Sequence, residues 1–241
     1  MQSLEQATNL APLLLNKSTG EPYLQLPSPH DNVIITPIRP GDIDTMMEHL
    51  NDLKIVEWLA GPPHPYTYQD GKHWHDQVSA QDQGLLGKLK DGDRFVDGCP
   101  VQCLREVQAD GTDVFIGDLS IRRELPQRKW ISSKDANNLV KEIGDSTIAW
   151  TVGFYLVPSH HRRGIMSAAL QTLIDAWAVP RMACRRIIAT AMLGNAASVG
   201  VFKKLGFEHT RDVEDAVQLP EGRGGHWKTL HVLEWSYSEK S

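Results

Sequence analysis

A short basic turn, Val157-Pro-Ser-His-His-Arg-Arg-Gly-Ile-Met166, separates two strongly patterned segments of the chain. Upstream, residues 147–157 (TIAWTVGFYLV) are dense in β-branched and aromatic side chains, as a buried strand would be, and Pro158 ends the run. Downstream, Ile165, Ala169, Leu173 and Trp177 recur at i+4, with Leu170 and Ile174 on the same side, so the pattern predicts a helix over residues 164–179 with one buried face. The first N–H groups of such a helix have no acceptor within it, and its aligned peptide dipoles place partial positive charge at the same spot. A phosphate suits that place. Gly164 lets the backbone approach closely, while Arg162 and Arg163 add charge. The plainer alternative is an ordinary strand-to-helix connection with solvated arginines.

Residues 186–192 read as another strand, followed by Gly194-Asn-Ala-Ala-Ser-Val-Gly-Val-Phe-Lys-Lys-Leu-Gly-Phe207. Here Asn195 is a natural N-cap, Ala197, Val201 and Leu205 form an i+4 stripe, and Gly206 stands where a left-handed cap would stop the helix. A third feature is Asp118, a carboxylate within the apolar run Phe115-Ile-Gly-Asp-Leu-Ser-Ile121. Burial there would raise its pKa towards that of a useful general base; strict alternation would instead turn it to solvent. His64, His73 and His75 could each accept a proton near neutral pH. His73 and His75 would diverge on a helix and have no nearby acid or cysteine partner, so no metal site is expected. Cys99, Cys103 and Cys184 are an odd count without zinc spacing. The first two read as reduced residues at a strand start, a catalytic thiol being the lesser alternative.

Together the two glycine-containing segments resemble the acyl-CoA-binding core of the GNAT N-acetyltransferase superfamily. Its first turn carries Gln/Arg-x-x-Gly-x-Gly/Ala, and its later helix begins at Asn and ends Lys-Leu-Gly-Phe. The resemblance spans roughly residues 32–236 and is similar in detail to the RimJ/RimL-like, ribosomal-protein-modifying branch. Val33-Ile-Ile-Thr-Pro-Ile-Arg-Pro-Gly-Asp42 resembles that branch's opening strand, Pro65-Tyr-Thr-Tyr-Gln-Asp70 with Trp74 its Pro-Tyr-Thr helix start, and Val152-Gly-Phe-Tyr-Leu-Val-Pro158 its Gly-aromatic strand. Three positions depart from the pattern: His161 stands for Gln or Arg, Met166 for Gly or Ala, and Phe202 for the Tyr that serves many relatives as thiolate acid.

The resemblance implies an α/β (α+β) fold with a central mixed, mostly antiparallel, splayed sheet flanked by helices. It implies acetyl-CoA as co-substrate, no metal, and direct transfer to a primary amine of a small molecule or a protein N-terminus in a ternary complex. Cofactor contacts fall on the backbone of Tyr155, Leu156 and Val157, on the turn His161, Arg162, Arg163, Gly164, Ile165, Met166 and Ser167, and on Asn195, Phe202 and Lys204. Ser198, three residues after the helix Asn, is the candidate thiolate acid, its alternative being an ordinary helix serine; Asp118 is the candidate base, with a water chain as its alternative. Glu57, His64 and Tyr66 fall on the acceptor side. A long Met166 side chain could narrow the pyrophosphate groove or turn to the core. The competing reading is a GNAT-fold module that binds acyl-CoA without catalysis.

Around these motifs the chain reads as an N-terminal extension (residues 1–31) and one catalytic domain (32–241). In the extension Pro12, Pro22, Pro27 and Pro29 break any long element, and residues 13–15 and 23–26 could dock on the core. A strand over 34–38 and helices over 41–59 and 68–86 follow, broken by Gly61-Pro-Pro-His-Pro65. Strands over 101–107 and 113–122 form a hairpin through Asp110-Gly111. The polar insert 123–146, with Trp130 and a short helix near 135–142, reads as either a mobile lid or, by preference, a surface loop. Strands over 206–213 and 227–235 close the domain. At 241 residues and 41% apolar content, the chain can bury one generous core. Its net charge of −5 argues against nucleic acid as a main partner and mildly favours a cationic substrate. No apolar run reaches a membrane span and no signal peptide is evident, so a cytoplasmic monomer or homodimer without a membrane partner is expected.

Overall fold

The computed structural model describes residues 9–238. Nine strands form one sheet in the order β1-β2-β3-β4-β5-β6-β7-β9-β8 among the described residues, every neighbouring pair antiparallel except β6 with β7. This is the mostly antiparallel α/β sheet that the resemblance implied. The extension supplies β1 (Leu14–Leu15) and β2 (Pro22–Gln25), which add two strands to the edge formed by β3 (Val33–Thr36). Of residues 13–15 only Leu13 docks, at 5% exposure, whereas Leu14 and Leu15 face out. Arg39 ties the extension down by pairing with Glu21 and Asp113 at once. Residues 1–8 and 239–241 of the two expected regions lie outside the described residues.

The helical stretch expected over 41–59 divides into α1 (Asp42–Asn51) and α2 (Leu53–Val56), because Asp52 is extended and caps α2 with its carboxylate on the Lys54 N–H. It does not continue to residue 59: the Arg223 guanidinium takes the carbonyls of Val56 and Leu59. Next, α3 (Tyr68–Lys90) opens with a capping box in which Thr67 and Asp70 satisfy each other's backbone N–H, and it runs one turn beyond expectation. The hairpin β4 (Cys103–Val107) and β5 (Asp113–Arg123) follows, then β6 (Ala149–Leu156), α4 (Ile165–Thr172), a π-helical stretch Leu173–Ala178, α5 (Val179–Met182) and β7 (Arg186–Met192). Ile165, Ala169, Leu173 and Trp177 are all buried, as their spacing predicts.

The last helix, α6 (Ala196–Lys204), is capped by the Asn195 side chain on the Ser198 N–H, and Gly206 is left-handed at its end, both as expected. Its buried face differs, though. Ala197 is exposed, and the helix seats Phe202 with Ser198, Val199, Val201 and Leu205 half-buried around it. β8 (Glu208–Gln218) outruns the expected strand because a register shift between Val213 and Val217, with Asp215 left-handed, absorbs the polar residues that look like a turn; β9 (Trp227–Ser236) completes the sheet.

The 123–146 insert lies largely on the surface, as preferred, but it is anchored by four buried residues, Glu124, Trp130, Asp135 and Asn138. In place of a helix near 135–142 it forms two short 3₁₀ turns, Ser133–Asp135 and Asn138–Val140, pinned from three sides. Arg123 takes the carbonyls of Asn138 and Lys141, Arg186 grips the buried Asp135 with both contacts at 2.9 Å, and Trp130 is buried beside Ala149, Leu219 and Leu230. Asn138, fully buried, accepts from the Ala149 N–H at 2.8 Å and donates to the carbonyls of Glu124 and Ala149 at 2.9 and 2.7 Å. Replacing it by Ala leaves the Ala149 N–H and the Glu124 carbonyl without this partner, each costing on the order of 1–3 kcal/mol less any water that enters, while the Ala149 carbonyl keeps the Glu124 N–H at 2.9 Å. Asn138→Ala is therefore expected to lower the unfolding free energy by about 3 kcal/mol in urea titrations; a loss within experimental error would mean that the insert is not held by this side chain.

Candidate active site

β6 and β7 are parallel neighbours over only two pairs, Ala149 with Arg186 and Trp150 with Ile187, and then diverge. On its other side β6 stays paired with β5 along its whole length, with the Val157 N–H donating to the Ile116 carbonyl. Alternation along that antiparallel ladder turns the amide groups of Val157, Tyr155, Gly153 and Thr151 towards β5 and leaves those of Val152, Phe154 and Leu156 facing the fork. Of the three expected backbone contacts, Leu156 thus faces the gap, whereas Tyr155 and Val157 are engaged with β5. The Leu156 carbonyl itself accepts from the His161 ring at 2.7 Å, so its N–H is what remains. α6 lies across the fork, its Phe202 ring 5.3 Å from that of Phe154.

At the outer end of β6 the basic turn contains two left-handed residues, Arg162 (φ 58) and Gly164 (φ 81), the latter capping α4. No side chain caps this helix start, so the N–H groups of Ile165, Met166 and Ser167 are left for an anion. Met166 is 6% exposed and packs into the main core, leaving the turn unobstructed. Arg163 is held by Glu106 at 2.9 Å, with His160 on the other oxygen at 3.2 Å, while Arg162 and Lys204 are exposed. The sequence gives no hint that His30 of the extension overhangs this turn: a Cβ on Gly164 would lie 3.5 Å from its Nε2.

Through the fork runs a cleft of about 1210 Å³. One wall is α3 with the 58–66 loop, the floor is β5 and β6, the far end is Asn195, Ser198 and Phe202, and the roof is the β8–β9 connection with Trp130 of the insert. Asp118, Tyr155, Tyr66, Asn195, Ser198 and Phe202 are thereby brought to one cavity. Glu57 is exposed outside it, and His64 instead packs its carbonyl against Gly222, where a Cβ would collide. This contact and the Arg223 hydrogen bonds join the first-helix loop to the last hairpin over the cleft. His73 lines the mouth; His75 points away towards Asp76.

Asp118 sits opposite Tyr155 and Cys103 in the sheet, and its side chain faces the cleft rather than bulk solvent. Loss of hydration pushes its carboxyl up to about 7, against a smaller lowering by Arg122. Behind it, Asp82 of α3 has a buried Oδ2 without a partner among the described residues, and burial followed by the nearby Asp118 charge pushes it up to about 8. Burial likewise drives the Cys103 and Tyr155 protons well above their usual range, so both groups are neutral and Cys103 is a poor nucleophile. The Tyr155 hydroxyl lies 3.4 Å from Nδ1 of His49, itself pushed down to about 4 by burial, and the Tyr66 hydroxyl donates to Met46 Sδ at 3.6 Å. Ser198 uses its N–H on Asn195; its hydroxyl has no protein partner among the described residues.

Residues 32–208 match the Acetyltransferase (GNAT) domain family. The chain belongs to the GNAT acetyltransferase family. Among solved structures, the GNAT fold recurs in the ribosomal-protein-S5-alanine acetyltransferase of Vibrio fischeri, with 15% identity, TM-score 0.59, and coverage of 90% of this chain and 97% of that one. RimJ of Mycobacterium smegmatis, in complex with CoA-disulfide, matches with 18% identity and TM-score 0.55 over 90% of this chain and 86% of its own. The yncA protein of Salmonella typhimurium, with its cofactor acetyl-CoA, matches with 19% identity and TM-score 0.55 over 87% and 96%. No curated protein sequence matches the chain. As a GNAT domain the molecule shows no helix long and apolar enough to cross a membrane among the described residues.

The two raised carboxyls have a consequence for stability. A folded-state pKa above the unfolded value means that the native protein holds more protons between the two values, so stability falls as pH rises from about 4 through 7 for Asp118 and through 8 for Asp82. Asp118→Asn and Asp82→Asn, which fix the neutral form, should each raise Tm by several degrees at pH 8.5 and change it little at pH 4. Equal effects at both pH values would show that neither carboxyl is perturbed in this direction.

Proposed function

We propose that this protein is an acetyl-CoA-dependent N-acetyltransferase that moves the acetyl group directly onto a primary amine in a ternary complex. The observation that carries the proposal is a single cleft through the fork, with a cleft-facing Asp118 carboxyl in one wall and the unpartnered Ser198 hydroxyl at its far end. The phosphates of acetyl-CoA bind the N–H groups of residues 164–167, with Arg162, Arg163 and His30 nearby. The pantetheine lies along the free edge of β6, hydrogen-bonded to Phe154 and the Leu156 N–H, and an N–H of this edge polarises the thioester carbonyl. Asn195, Phe202 and Lys204 flank the carrier on the α6 side.

The amine enters between the 61–66 loop and the β8–β9 connection, past Tyr66, and gives its proton to Asp118. A base with a pKa near 7 is half-ionised at neutral pH and well matched to this task. This proton transfer accompanies attack of the neutral amine nitrogen on the carbonyl carbon; the C–S bond breaks, the Ser198 hydroxyl donates to the departing sulfur and recovers its proton from water, and Asp118 releases the amine's proton to water. The acceptor is a small-molecule amine or a protein α-amino group, and the expected setting is a cytoplasmic monomer or homodimer. Burial of Met166 leaves clear the pyrophosphate approach that both this reading and a non-catalytic acyl-CoA-binding module need, and the cleft-facing Asp118 carboxyl is what favours catalysis.

Titration calorimetry with acetyl-CoA, paired with free-thiol release across a panel of amines and N-terminal peptides, tests the reading: binding with amine-dependent CoA release supports it, and binding without release supports the module. With an active amine, kcat/KM should climb with pH and level off above about 7. Asp118→Asn should lower kcat about 10²–10⁴-fold while leaving acetyl-CoA affinity unchanged; full activity would hand the base's role to a water chain. Ser198→Ala should cost about 10–10³-fold in kcat with binding intact, and an unchanged kcat where chemistry limits the rate would return Ser198 to a structural role.

A further inference from the structure

On the outer hairpin, three potential ligands converge: His209 Nε2 and His231 Nδ1 approach the same oxygen of Asp212, Oδ1, at 2.7 and 2.6 Å. The rings stand nearly perpendicular with centroids 5.4 Å apart, and the three ligand atoms lie within 4.8 Å of one another. This convergence depends on an irregularity in β8. Residues three apart on a regular strand face opposite sides, but the register shift between His209 and Arg211 turns His209 and Asp212 to the same side, with Asp212 directly opposite His231 on β9. Because the neighbouring Leu230 lines the cleft, His231 points to the reverse face of the hairpin. The cluster is therefore separate from the acyl-transfer site.

We propose that His209, Asp212 and His231 form a surface site for a Zn²⁺-class divalent cation. Two imidazoles and one carboxylate are donors for borderline metals such as Zn²⁺, and a poor set for Mg²⁺ or Ca²⁺, which favour all-oxygen shells. Ligation at about 2.0–2.2 Å requires the donor atoms to separate to roughly 3.3 Å, which a small pivot of the exposed Asp212 carboxylate provides. Each neutral ring then carries its proton on its far nitrogen, and any imidazolium releases one to water. Those far nitrogens have no protein partner among the described residues, so affinity is of the open-site kind rather than that of a buried structural zinc. Solvent completes the fourth position. The bound ion cross-links β8 to β9 at the end of the sheet where β8 has no further neighbour.

The test uses the full chain without an affinity tag, dialysed against chelator and titrated with ZnCl₂ by calorimetry, and with CoCl₂ by visible absorption. One Zn²⁺ per chain with micromolar affinity is expected, with Co²⁺ giving visible bands of tetrahedral strength, and Tm rising by roughly 5–10 °C at a hundredfold excess over Kd. His231→Ala and Asp212→Asn should each weaken binding at least tenfold, while His73→Ala leaves it unchanged. Circular dichroism on each variant confirms that the hairpin is intact. Absence of saturable Zn²⁺ binding, or binding that survives His231→Ala in a folded protein, would overturn the proposal.

Discussion

The parallel contact between β6 and β7 lasts for two residue pairs and then gives way, and the rest of the molecule is arranged around that parting. Unpaired strand edges inside a protein are costly, since buried N–H and C=O groups need partners. Here the exposed edge of β6 opens into the cleft, and α6 crosses the gap with Phe202 rather than with polar groups. The fork is held open from its closed end. Trp150 and Trp177 fill the core beneath it, Asn138 satisfies Ala149, and Arg186, the first residue of β7, is gripped by Asp135 and Glu234 at 2.9 and 3.0 Å. The strands cannot zip further without displacing a helix, and they cannot separate further without breaking these contacts.

Electrostatics then sorts the groups that line the gap. Its outer end carries left-handed backbone at Arg162 and Gly164 before an uncapped helix start, where Glu106 holds Arg163 and His160 in place. Its inner end has been stripped of water, so Asp118, Asp82, Cys103 and Tyr155 all shift towards their neutral forms. The gap thus holds one carboxyl that ionises close to neutral pH, with a second behind it that ionises later. The charge on Asp118, once formed, makes ionisation of Asp82 behind it harder.

Local rules made much of this legible in the sequence. The i+4 stripe from Ile165 to Trp177, the Asn195 cap, the left-handed Gly206 and the Asp110-Gly111 hairpin each depend on neighbouring residues alone, and each appears where the pattern puts it. Ordered motifs carried the fold and the family. What the sequence did not disclose depends on tertiary partners: Asn138 and Arg123 turning a helix-like stretch into 3₁₀ turns, Arg223 ending α2, and His30 reaching a turn more than a hundred residues away. Glu57 and His64 sit in the expected region yet outside the cleft, because a helix wall presents only part of its surface inward and Trp58, Leu59 and Tyr66 take that part. The His209–Asp212–His231 cluster was hidden for a different reason, since period-two alternation puts residues 209 and 212 on opposite faces unless the bulge is known.

The central claim is that the free edge of β6 in the fork is the acyl carrier's binding ledge. Hydrogen–deuterium exchange with and without acetyl-CoA examines that edge amide by amide. Slowed exchange at Val152, Phe154 and Leu156, together with Ile165–Ser167 at the start of α4 and with no change across β8, is the predicted result. Protection confined to another surface, with β6 and the helix start exchanging as in the free protein, would contradict the account.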